Sequence, residues 1–271
     1  MVMIKKIVKF VIVSFLLLLV FAGLFWFTTK TSNTWDAKTV GDIPVLSGYE
    51  RVEASKGSYA DYFRSLPLKK RGAKVQYYTG GDARFQFLSA AVIDQNMLSG
   101  FEQCADVTMR LRAEYLWSKG RYNEISFLNI NNKRMNYTGG ASRKEFEKYM
   151  KNVYVWCSTY SMYNETKPRA IKDVKPGDVL VFKAPTVPNF LQDLESKVMS
   201  QPIMGHAVIV ADVAKNKNGK IAILCIEGNT PAREKHVVRN PNPFRNPWFV
   251  LDEDDNYISI FHFKKDELRH Y

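Results

Sequence analysis

Phe10 to Phe27 reads FVIVSFLLLLVFAGLFWF, eighteen positions without a charge or a proline. Such a run has no polar face to turn toward water, so it cannot serve as an ordinary surface helix. As a helix it would rise roughly 27 Å, close to the hydrocarbon thickness of a bilayer. Lys5, Lys6 and Lys9 precede it, and Lys30 alone follows closely. Positive charge stays on the cytoplasmic side, which puts the C-terminal mass outside. Trp26 falls near the far end, where an amphipathic ring suits the headgroup level. The competing reading is a cleaved signal peptide. Against it, the run is longer than a usual signal core, and TTKTSNTW offers no small-x-small cleavage site. The expectation is a single-pass inner-membrane anchor. Residues 1–9 would be cytoplasmic, 10–27 transmembrane, 28–50 a linker, and 51–271 an exported α+β domain in the periplasm or cell exterior of a bacterial envelope.

Over the whole chain, 24% charged residues, 15 Gly and 11 Pro exclude a disordered or collagen-like protein. The formal charge of +12 is spread through the sequence among acids. A basic surface of this kind suits the cytoplasmic membrane and anionic envelope polymers such as peptidoglycan. Nucleic acid is not expected as a partner, because no binding motif accompanies the charge. Cys104, Cys157 and Cys225 make an odd count, so at least one thiol is free or pairs with another chain. No Cys/His spacing of the metal-binding kind is present, and no cofactor is expected.

Local signals divide the exported part. GSYADYFRSLPL predicts a short helix capped at Ser58, with Asp61 three positions on. RFQFLSAAVID (84–94) and ISFLNI (125–130) read as strands. Ser99 and Glu102 form a capping-box pattern for a helix that Gly120 closes, and Ser142 and Glu145 open another running to about Tyr163. Strand patterns then dominate: KPGDVLVF (175–182), GHAVIVADV (205–213), IAILCIE (221–227) and YISIFHF (257–263). Asn218-Gly219 between the second and third of these is a hairpin signal. Helices first and strands later, without βαβ alternation, predict an antiparallel sheet packed against helices, an α+β domain.

A thiol becomes nucleophilic when its anion is stabilised, by a helix N-terminus or by an imidazole. Cys104 has the first setting; Cys157 falls deep in a predicted helix and Cys225 among apolar strand neighbours. His206 opens a strand at the sheet rim. His262 falls in the last strand, while His236 and His270 stand in polar surroundings and read as surface residues. With the hairpin centred near Lys217 and Asn218, paired numbers sum to about 435, so His206 faces Asn229 with Glu227 diagonal on the same side. Arg110, Arg112 and Glu114 read as a solvated helix face, a buried ion pair or the lining of a cleft being the alternatives.

PGDVLVF, GHAVIVADV, a turn and IEGN together resemble the second half of a CHAP or NlpC/P60 domain. Those are papain-like cysteine peptidases and amidases of cell-wall peptides. The resemblance implies a papain-like fold with Cys104 as nucleophile, His206 as general base, and Glu227 or Asn229 orienting the ring. GSYADYFRSLPLK, QCADVTMRLRAEYL, GHAVIVADV, Pro231-Ala232 and NPW (246–248) are similar to an uncharacterised bacterial family, domain-of-unknown-function family 4846. Two departures from the peptidase pattern stand out. Cys104 follows Gln103 and precedes Ala105-Asp106, and about 20 residues separate the Gly-Asp strand from His206. The expected function is amide-bond hydrolysis by a membrane-anchored cysteine enzyme, with peptidoglycan stem peptides as substrate. The alternative is a non-catalytic envelope binding or scaffold module on the same fold.

Overall fold

A computed structural model describes residues 11–20, 36–184 and 204–271, apart from 243 and 246. Helix α1, residues 11–20, exposes its apolar side chains. Among the described residues no helix is long and apolar enough to cross a membrane; the rest of the proposed span lies outside them.

The centre of the domain is an antiparallel sheet. Its main path runs β2 (Ser89–Val92), β9 (His236–Val238), β8 (Ile221–Glu227), β7 (His206–Asn216), β6 (Val179–Phe182), β13 (Leu268–His270) and β5 (Lys167–Pro168). Two short strands join it, β1 (Tyr49–Arg51) on β7 and β10 (Phe249–Val250) on β8. Strands β3 (Ser126–Leu128) and β4 (Arg134–Asn136) form a separate pair. The alternation of β7 and β8 sends Ile209, Leu224 and Ile226 to one face, packed with helix residues such as Val107 and Phe146. Val208, Val210, Ile223 and Cys225 go to the other, against Ile258, Phe261 and Phe263. Burial on both faces explains why β7 and β8 are almost continuously apolar in sequence.

Helix α2 (Tyr59–Ser65) begins where expected, the Ser58 hydroxyl accepting from the Asp61 N–H at 3.2 Å. Helix α3 (Cys104–Ser118) starts later than its Ser99 signal, with Gln103 as N-cap and the Gln103 N–H donating to Asp106 Oδ2 at 3.0 Å. The reason is Glu102. Its carboxylate accepts from Leu98 N–H at 2.7 Å and sits in a buried ion cluster instead of reaching back to Ser99. Arg110 and Glu114 belong to that cluster and are buried, so the solvated-face reading of this helix is corrected. The helix opened by Ser142 breaks in two, α4 (Arg143–Trp156) and α5 (Thr159–Glu165), because Cys157 and Ser158 adopt extended backbone. Cys157 is thus a helix end, not a helix interior. The predicted last strand is a hairpin, β11 (Asp255–Ile258) and β12 (Phe261–Lys264), turning at Ser259 with φ 59°.

Residues 37–50 are more than a tether. Val40 and Ile43 are fully buried, and β1 brings Arg51 onto Asp212 at 2.7 Å, where Arg64 of α2 also binds. Asp212 follows a bulge in the β7–β8 ladder. Arg112 lies over the Tyr271 ring, 4.3 Å from its centroid.

Candidate active site

The ladder between β7 and β8 fixes what the hairpin could only suggest. Ile209 pairs with Ile226 and Val210 with Cys225, so numbers sum to 435 on the side of His206. Past the bulge the sum becomes 436, as in Asp212 with Leu224. The shift falls beyond the site, so His206 and Glu227 share a face in the diagonal relation that period-2 alternation requires.

His206 Nε2 lies 3.0 Å from Glu227 Oε2, with both side chains almost fully buried. A carboxylate accepts, so this nitrogen carries a proton, and the Cys104 side chain is the other group that acts on the ring. Cys104 Sγ is also 3.9 Å from the Gly205 carbonyl oxygen. The ring stacks on Phe261 at 3.7 Å between centroids, which sets its plane. Burial alone would depress the imidazole; the hydrogen bond and charge of Cys104, then those of Glu227, reverse this and raise it to about 9. Burial pushes Glu227 upward, yet His206 and His236 together hold it down to about 2.

Two glycines permit this approach. A Cβ on Gly228 would stand 2.5 Å from Val107 Cγ2, so the strand end lies directly against the first turn of α3. A Cβ on Gly205 would meet the Phe182 carbonyl oxygen and Thr159 Oγ1, each at 2.4 Å. Ahead of Cys104 the chain is staked by Glu102, which binds Lys235 Nζ at 2.6 Å and Arg110 Nη1 at 2.8 Å, all within the protein interior. Burial pulls the Lys235 amine down to about 8. The Asp106 carboxyl is buried and pushed well above the usual carboxylate range.

Asn229 does not reach the imidazole. Its Oδ1 accepts from the Thr230 N–H at 2.8 Å, and its Nδ2 is buried with no hydrogen-bond partner among the described residues. The neighbouring Thr230 hydroxyl donates to Gln103 Oε1 at 2.9 Å, tying the loop after β8 to the loop before α3. The same two loops border an open cleft of about 400 Å³, with Gly100, Pro231, Tyr77, Tyr78 and Arg84 on its walls. All three cysteines are free. Burial raises Cys157 to about 12 and holds Cys225 well above the thiol range.

His236 overturns its sequence reading. It is fully buried on β9, directly opposite Glu227 in the ladder, with Nε2 3.2 Å from Glu227 Oε1. The charged run REKH disguised a core strand; the signal available was the β-branched pair Val237-Val238 that follows. His262 is partly exposed and bound to Asp255 at 2.7 Å.

The described residues therefore make a mixed helix and antiparallel-sheet domain, with a thiol, an imidazole and a carboxylate in series at one end of the sheet. The chain belongs to the family described as Domain of unknown function (4846), which matches residues 41–141 and 193–270. Those two blocks carry Cys104, His206, Glu227 and His236. No curated protein and no solved structure matches the chain.

Proposed function

We propose that this domain is a papain-like cysteine hydrolase that cleaves an amide bond. The observation that carries the reading is the series Cys104, His206, Glu227, with the thiol at the first helical position of α3, its side chain acting on the His206 ring, and that ring held by Glu227. The Cys104 sulfur attacks the carbonyl carbon as a thiolate, with His206 as imidazolium. Unsatisfied N–H groups at the head of α3 face the developing oxyanion. The imidazolium gives its proton to the leaving amine, which departs and leaves a thioester. His206 then takes a proton from water, whose oxygen attacks the thioester carbon; the C–S bond breaks, the acid departs, and the thiolate and imidazolium are restored. Glu227 holds the ring and its charge throughout. Asn229 acts on the loop beside the thiol instead of on the ring.

The cleft beside the two loops, with tyrosines and an arginine, suits a peptide bearing a carboxylate. The basic charge of the whole chain points the same way, so peptidoglycan stem peptides are the proposed substrate. Purified full-length chain incubated with such peptides should release free amine, and Cys104→Ala should release none. Equal release by both proteins would sink the hydrolase reading.

The proposed setting is the bacterial envelope, with the domain held outside the cytoplasmic membrane by residues 10–27. The apolar run and the lysine asymmetry around it support this. Protease added to intact spheroplasts should digest the domain; protection until lysis would reverse the topology.

A further inference from the structure

Glu227 has two oxygens and His206 uses one. The other is held by His236, whose Nδ1 lies 2.9 Å from the Glu234 carbonyl oxygen. That carbonyl belongs to a pinned residue: the Glu234 N–H donates to the Gln76 carbonyl at 3.0 Å, and its carboxylate binds Lys69 Nζ at 2.5 Å. A backbone carbonyl only accepts, and so does a carboxylate. Both ring nitrogens of His236 therefore face acceptors, whereas a neutral imidazole carries a single N–H. Two N–H groups make His236 an imidazolium. Placing the extra proton on Glu227 instead would go against the two imidazoles that stabilise its anion.

The titratable groups that act on Glu227 are His206 from β7 and His236 from β9; Cys225, two residues back on β8, feels its charge, and Cys104 at the head of α3 acts on His206. Cation and anion then alternate along the series from His206 through Glu227 to His236. Without the outer cation, the full charge of Glu227 would act on His206 alone and hold its proton more tightly.

We propose that His236 is a positioning residue: a doubly protonated imidazole, fixed by the Glu234 carbonyl, that holds Glu227 in place and offsets its charge so that His206 releases its proton at lower pH. The proposal rests on the hydrolase reading for its purpose, and its test does not use hydrolysis. In nitrogen-15 spectra of the full-length chain at neutral pH, both His236 nitrogens carry protons; an unprotonated Nε2 overturns the proposal without any mutation. His236→Gln keeps a donor toward Glu227 and removes the charge. The midpoint of the His206 titration should then rise by about one pH unit, and the pH profile of Cys104 alkylation should move with it. A folded His236→Gln chain with an unmoved midpoint also overturns it, because a packing role alone would leave the midpoint in place. Absence of amide cleavage with these spectra intact would remove the hydrolase and spare the assignment of His236.

Discussion

Iodoacetamide near neutral pH should modify Cys104 at least roughly 100-fold faster than Cys157 or Cys225 in the folded full-length chain. Access does not separate the three, since all are buried. Their surroundings do. Cys157 packs against Met135 sulfur at 3.9 Å and is raised to about 12, which leaves little thiolate near neutrality. Cys225 lies in the core, and both burial and the charge of Glu227 disfavour its anion. Cys104 alone has an imidazolium beside it and a helix N-terminus beneath it. His206→Ala should slow its alkylation about tenfold or more by removing the cation. Peptide mapping after brief labelling reads all three rates together. Comparable labelling of the three thiols would contradict the arrangement.

Glu227→Ala should cost about 3–5 kcal/mol of stability, because it leaves two buried imidazoles without their common acceptor. Glu227→Gln should also lose stability, because an amide can hold only one of the two rings. An amide has a single acceptor oxygen, and here two N–H groups converge on the residue, so its NH₂ would face one of them. Denaturant melts should therefore place Glu227→Gln well below the native chain, by about 1–3 kcal/mol. The same carboxylate shapes the pH dependence. Its folded value, about 2, is depressed, so its contribution is present above the unfolded carboxyl range and is lost as pH falls toward 2. The folded value of His206, about 9, is raised, so its contribution is full below its unfolded value and is lost as pH climbs toward 9. The melting temperature should thus be highest in the mildly acidic range and fall on either side. Glu227→Gln should flatten both limbs. A variant whose profile parallels that of the native chain would exclude this carboxylate as their source.

The sequence by itself determined the elements whose signals are local. Ser58 caps its helix because a hydroxyl needs only the N–H three residues on. The β7–β8 hairpin forms because Asn216 to Lys220 can turn, Gly219 taking φ 75°, between two apolar runs. The folded ladder then set its register, and with it the shared face of His206 and Glu227, since a slip of one residue would turn both away. What tertiary structure decided is where charge went. Glu102 looks like a capping residue until Lys235, 133 residues on, and Arg110 of α3 itself bind it, and that displacement moves the head of α3 to Cys104. Lys235 and His236 look solvated until β9 is inserted between β2 and β8. Burial of a charged side chain is tolerated only when a partner meets it, and those partners lie more than a hundred residues away for Lys235 and nine for His236. No local pattern encodes such a meeting, because it is the folded sheet that brings the partners together.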